Sequence, residues 1–133
     1  MPKTIRAKNK HEESRIQKAG VEWFRMQYRY KTRVLFAIPN GAKLSGNQTQ
    51  RAITGKRMKE EGLVPGVADL FLSIASGEYH GLYLEAKTAT GRQSDSQKEF
   101  EQDVISEGYG YALFRSLSEF QAIVRTYLNE GVY

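Results

Sequence analysis

Cysteine is absent from the 133 residues. That excludes disulfides, thiolate zinc sites and thiol nucleophiles, so any metal site must be built from carboxylate, carbonyl or imidazole ligands. The same absence leaves the redox compartment open. Long apolar runs are also missing. The N-terminus has no hydrophobic h-region, and no stretch approaches the ~18 apolar residues needed to span a bilayer, so a soluble, cytoplasmic protein with no membrane partner is expected. No internal repeat, low-complexity tract or interdomain linker is present.

What remains is ordinary globular composition, with 40% hydrophobic and 26% charged residues, enough for one domain around a single core. Twenty Lys and Arg against 15 Asp and Glu leave a formal charge of +5. That excess favours polyanionic partners without naming one. Residues 1–11 read as a basic N-terminal arm carrying Lys3, Arg6, Lys8 and Lys10, open to both a DNA-contacting role and a frayed, solvated terminus. Residues 12–133 read as the single domain.

Apolar and small residues at Ile16, Ala19, Gly20, Trp23, Met26 and Tyr30 recur with helical spacing and predict a first helix over 12–30. The apolar run 34–38, stopped by Pro39-Asn40-Gly41, predicts a buried strand ending in a turn. Residues 44–54 are polar and weakly periodic, whereas Lys56 to Glu61, closed by Gly62, predict a short helix. Two apolar segments, 68–74 and 81–86, flank Ser76-Gly77-Glu78 as a β-hairpin would. A helix follows from Ser94 to Glu107, then a strand over 109–114, and the capping box Ser116-x-x-Glu119 opens the last helix. The order is α-β-α-β-β-α-β-α.

Asp69 and Glu85 lie equally far from Gly77. A hairpin turning there sets the two carboxylates opposite each other on adjacent antiparallel strands, with Cβ atoms ~5 Å apart, and Lys87 shares their face. The other face carries Leu70, Leu72, Ile74, Leu82, Leu84 and Ala86, the residues a sheet buries against helices. Opposed carboxylates repel unless one is protonated or a cation sits between them. Hard carboxylate oxygens suit Mg²⁺ or Mn²⁺, and Mg²⁺ takes only one or two protein carboxylates while keeping water and phosphate ligands. That chemistry fits phosphodiester hydrolysis, with Lys87 orienting water or neutralising the pentavalent phosphate. The bland alternative makes Asp69 a strand-start cap and Glu85 with Lys87 an exposed charge pair.

The segments Gly66-Val67-Ala68-Asp69-Leu70, Leu84-Glu85-Ala86-Lys87 and Gly91-x-x-Ser94-x-x-Gln97 resemble the VRR-NUC family, the virus-type replication-repair nucleases of the PD-(D/E)XK superfamily. The resemblance covers most of the chain. It begins at Glu13-x-x-x-Gln17, passes through Pro39-Asn40-Gly41 and Gly62-x-x-x-Gly66-x-x-Asp69, and ends near Gly108-Tyr109. Val67-Ala68 stand before Asp69 where the superfamily name has proline. The resemblance implies an α/β, restriction-endonuclease-like core with a central mixed sheet flanked by helices.

It also implies that Asp69, Glu85, Glu13 and the backbone carbonyl of Ala86 hold Mg²⁺ or Mn²⁺, that Lys87 is the catalytic lysine, and that Glu13 and Gln97 approach the centre from helices. Glu13 is equally readable as a helix N-terminal acid, Gln97 as the partner of Ser94 in a capping box, and Glu12 as an alternative to Glu13. Asn40 is open to a turn role or a DNA contact. Lys56, Arg57 and Lys59, with Arg51, form the densest internal basic cluster, either a phosphate-contacting surface or a solvated helix face.

A stand-alone chain of this type resembles the viral and bacterial members, so a homodimeric Holliday-junction resolvase in a bacterial or phage-infected cell is the expected activity. A flap or single-strand nuclease, a catalytically silent DNA-binding module and a metal-free interaction domain are the alternatives.

Overall fold

The computed structural model describes residues 3–39 and 44–133. The first helix, α1 (Lys3–Gln27), starts nine residues before the expected helix start, because the basic segment has high helix propensity and simply extends the packed helix outward. Its inward stripe includes the buried Phe24 and the half-buried Ile16, Val21 and Trp23. A 3₁₀ turn, Thr32–Val34, takes up the start of the segment expected to be a strand, leaving β1 as Leu35–Ala37.

Helix α2 (Gln48–Glu60) occupies most of the segment expected to be irregular. The Asn47 side chain accepts from the Gln50 N–H, and the Gln50 side chain accepts from the Asn47 N–H, each at 2.8 Å. This is a full capping box that weak periodicity concealed. At the other end Gly62, with φ +112, adopts the left-handed conformation that ends the helix. The Gly62 and Leu63 amides then bond back to Lys59 and Met58, a Schellman closure. No residue of α2 is buried, so its ends and backbone define it rather than an apolar face.

Strands β2 (Leu70–Leu72), β3 (Leu82–Ala86) and β4 (Gly110–Phe114) complete a mixed sheet of order β1-β2-β3-β4, antiparallel except for the parallel β3–β4 pair. Leu70 pairs with Leu84 and Leu72 with Leu82. One step further along this register, Asp69 faces Glu85, the pairing expected from their equal spacing about Gly77. The turn itself is irregular. Ser76 and Tyr79 exchange backbone hydrogen bonds of 3.1 and 3.0 Å, leaving three residues on the β2 side against two on the β3 side before the ladder resumes.

One sheet face carries Leu35, Leu70, Leu72, Leu82, Leu84, Ala86 and Phe114 against Phe24 of α1 and Phe120, Val124 and Tyr127 of α4 (Leu117–Glu130). Removing each such leucine from water contributes about 1.5–3 kcal/mol, so this layer carries most of the stability. The α4 cap is half of the expected box. Ser116 Oγ accepts from the Glu119 N–H, but the Glu119 carboxylate takes the Arg115 N–H instead of that of Ser116.

The opposite face has two rows. Phe36, Phe71, Tyr83 and Tyr111 run across all four strands, and Asp69, Glu85 and Leu113 form the next row along. Helix α3 (Asp95–Ser106) packs on this face through Phe100, whose ring lies 5.1 Å from Tyr83 and 6.2 Å from Tyr111. Its N-terminus lies beside the carboxylate row. Among the described residues no helix is long and apolar enough to cross a membrane.

Candidate active site

Alternation along β3 sends Leu84 and Ala86 into the core and Glu85 and Lys87 to the other face, where both are buried, at 2% and 7% exposure. Burial excludes the reading of Glu85 and Lys87 as an exposed surface pair. They form no salt bridge among the described residues. Instead Gln97 stands between them: its Nε2 donates to Glu85 Oε1 and its Oε1 accepts from Lys87 Nζ, both at 2.8 Å. The same Oε1 accepts from the Ser94 N–H at 2.9 Å, while Gln97 N–H donates to Ser94 Oγ at 3.2 Å. The capping role and the contact with the carboxylate row are therefore one arrangement, in which the start of α3 fixes the Gln97 amide.

Asp69 sits just before β2. Its backbone carbonyl accepts from Ile38 N–H at 2.9 Å, and its Oδ2 accepts from Ala86 N–H at 2.8 Å. The β2–β3 ladder has already ended at Leu70 and Leu84. Lys87 N–H bonds Phe114 across to β4, so by alternation the Ala86 backbone groups face the β2 side, beyond the last ladder pair. Asp69 thus takes the place of a strand there.

The carboxyl groups of Asp69 and Glu85, opposite each other at the end of the β2–β3 pair, are close enough to interact directly. Burial, then that contact and the Asp69 charge, push the Glu85 carboxyl up to about 10, against a smaller lowering by Lys87. Glu13, on α1, is also raised, first by burial and partly offset by Lys87; a hydrogen bond from the Thr88 backbone acts the same way. Three acids thus share one low-dielectric corner with one lysine.

These groups line or back a cleft of about 740 Å³, bounded by Lys10, Glu13, Ser14 and Gln17 of α1, by the 63–69 segment and by the first turn of α3. Gly66 shapes its wall. With φ +86, it lies so close to α3 that a Cβ would fall 2.3 Å from the Ser96 carbonyl oxygen. Gly66→Ala is expected to destabilise the fold by more than ~1 kcal/mol, since strain and clash add at a position that L side chains rarely adopt. It should also displace Gln97. Denaturant melts and cleavage rates measured side by side check both effects.

By fold this arrangement has a counterpart among solved structures. A "VRR_NUC domain protein" superposes with a TM-score of 0.71 over 86% of each chain, at 22% sequence identity. The chain has the VRR-NUC fold. No family model matches it, and no curated protein matches its sequence.

Within the VRR-NUC fold, Asp69, Glu85, Lys87 and Gln97 come together, with Glu13 at the edge and the Ala86 backbone behind them. Lys56, Arg57 and Lys59 do not join them. They lie on α2, exposed, and Lys56 and Arg57 pair with Glu60 and Glu61 at 3.9 and 3.8 Å. Asn40 lies outside the described residues. Lys10, named only as part of a basic arm, lies in the cleft wall, as do Ser14 and Ser96, which the sequence did not single out; helical spacing from Glu13 and Gln17 was the available signal for the first two.

The Arg115 Nη1 donates to the carbonyls of Thr88 at 2.6 Å and Gly91 at 2.7 Å, pinning the turn that joins Lys87 to α3.

The donor set suits a hard divalent cation. Among the described residues no group of three Asp, Glu, His or Cys side chains is placed to hold a metal ion together, so Glu13 does not join Asp69 and Glu85 as a third side-chain ligand. Two touching carboxylates with room for water and phosphate oxygens are the number Mg²⁺ asks of a protein. The proton that Glu85 must otherwise hold marks where positive charge is wanted.

Proposed function

We propose that the chain is a Mg²⁺- or Mn²⁺-dependent DNA endonuclease. The observation that carries this reading is the buried contact of Asp69 with Glu85 at the end of the cleft, joined through Gln97 to Lys87. Purely structural packing offers no return for two opposed acids under a lysine. An electrophilic centre for phosphodiester hydrolysis does.

In this reading Asp69 and Glu85 hold the ion, with the Ala86 carbonyl as a further oxygen donor and Glu13 at the edge of the site. The bound ion supplies Lewis-acid polarisation of the scissile phosphate and a lowered pKa for an attacking water. The chain's own residues do the rest. The Ala86 N–H fixes one Asp69 oxygen, and Gln97 Nε2 fixes one Glu85 oxygen, so neither carboxylate has to reorganise when substrate arrives. Lys87 has three N–H donors and uses one on Gln97. The other two can orient the water or stabilise charge on the pentavalent phosphate. Arg115, by fixing the turn behind Lys87, holds that ammonium in place.

Branched DNA cut by a homodimer is the form of this activity we favour. A four-way junction has approximate two-fold symmetry and needs two paired cuts, which a C2 dimer supplies with one centre per strand.

A labelled four-way junction, a flap, a single strand and a plain duplex, each incubated with Mg²⁺, Mn²⁺ or EDTA, test both levels. Symmetric, metal-dependent cuts in the junction are expected. Preferential flap or single-strand cutting would keep the chemistry and overturn the substrate. No cutting of any DNA with either ion would overturn the enzyme reading.

A further inference from the structure

The cleft wall supplied by α1 is one phase of that helix. Lys10, Glu13, Ser14 and Gln17 recur at i, i+3, i+4 and i+7 and all line the cleft. At 3.6 residues per turn, Lys3 and Arg6 fall within the same arc of roughly 100°. Because α1 is continuous from Lys3, the face that enters the cleft with Lys10 continues past its mouth as Arg6 and Lys3. Both are exposed. Glu13 is the only acid in this arc between residues 3 and 17. Among the described residues none of the three cations forms a salt bridge; the two pairs present are on α2.

From this geometry we infer that Lys3, Arg6 and Lys10 are a phosphate-tracking stripe, which guides one nucleic-acid strand along α1 into or out of the cleft. The inference rests on the nuclease reading for the occupant's chemistry. A polyanion fits the stripe, whereas a second copy of this chain would set like charges against each other. Lys3 to Lys10 spans ~10 Å of helix, which matches about three phosphates of one strand at a rise of 3.4 Å each. Phosphate contacts of this kind fix register and direction without reading sequence. The stripe would therefore decide which way the strand passes the Asp69–Glu85 end, whatever its bases.

The helix provides its own control. Lys8 and Arg15 are likewise exposed but lie on the other side of α1, away from the cleft. The pair Lys3→Ala with Arg6→Ala removes the same charge as Lys8→Ala with Arg15→Ala, and alanine favours the helix in both. Fluorescence anisotropy with a labelled duplex of about 20 base pairs, in EDTA so that nothing is cut, gives log K against log salt.

Loss of two phosphate contacts should flatten that slope by about 1.8, so that the loss of affinity between ~50 and ~200 mM salt shrinks about tenfold. The expected result is this change in the stripe pair and a slope within ~0.5 of wild type in the control pair. Equal changes in both pairs, or none in the stripe pair, would overturn the inference. The outcome is independent of cutting. A protein that binds through the stripe but never cleaves would sink the nuclease reading alone, and one that cleaves while the two pairs behave alike would sink the stripe alone.

Discussion

Lys87→Ala is expected to slow metal-dependent DNA cleavage about 10²- to 10³-fold, the usual loss when one preorganised donor is removed from a charge-developing centre. DNA affinity should change little. The reason lies in how Lys87 is held. The residue is buried and its Nζ donates one hydrogen bond to Gln97, so its charge is fixed in place before substrate binds. Gln97 keeps its second donor, the Ser94 N–H, when the lysine is cut back, so the α3 cap survives. A circular dichroism melt should therefore show a folded variant. Single-turnover rates with anisotropy on the same DNA separate the chemical step from binding. A variant that cuts within a factor of three of wild type would remove Lys87 from the chemistry.

Glu85→Gln is expected to abolish cleavage while making the metal-free protein more stable. The wild-type carboxyl is buried against Asp69 and pushed up to about 10. The folded protein thus holds a proton that the unfolded chain, with an ordinary Glu near ~4.3, has already released at neutral pH. A raised folded value gives stability that is complete below the unfolded value and is lost as pH rises toward the folded one. Without metal, stability should therefore fall between about pH 5 and 9, by at most ~1.4 kcal/mol per unit.

Glutamine occupies the same volume and carries no charge, so it removes this dependence at position 85. In EDTA, the melting temperature of Glu85→Gln should exceed that of wild type at pH 8, with a gap that widens as pH rises. Each kcal/mol corresponds to about 3–5 °C for a chain of this size. An equal or lower melting temperature across that range would mean that Glu85 is not under electrostatic stress. A centre more stable without its function is the usual cost of assembling like charges in one corner.

Much of this corner was legible before any coordinates. The pairing of Asp69 with Glu85 was legible from their equal spacing about Gly77 and from the leucines of both strands facing one core, although the turn is centred between Gly77 and Glu78 and the extra residue on the β2 side is what restores that register. The turn that joins them was not legible, because its extra residue lies on the β2 side and leaves no mark in the apolar pattern. Only the second half of helix α2, closed by Gly62, was read; the first half was missed although its cap, Asn47 with Gln50, was in plain sight, because a helix that buries nothing has no apolar stripe to read.

The extension of α1 to Lys3 was missed for the same reason. Gly66 was placed by resemblance alone, and its physical reason, the Ser96 carbonyl, is a long-range contact. Arg115 bonds two backbone carbonyls, and backbone acceptors carry no signal in side-chain identity.

The central claim is that Asp69 and Glu85 together hold a divalent ion. Thermal melting across a Mn²⁺ titration, comparing wild type with the double variant Asp69→Asn, Glu85→Gln, tests it most directly. At an ion concentration of about 100 Kd, wild type should gain ~2.7 kcal/mol, a rise of roughly 10 °C that grows with the logarithm of concentration. The double variant should stay flat. A flat wild-type curve up to about 10 mM, far above the affinity such a site needs, or an equal rise in both proteins, would contradict the claim.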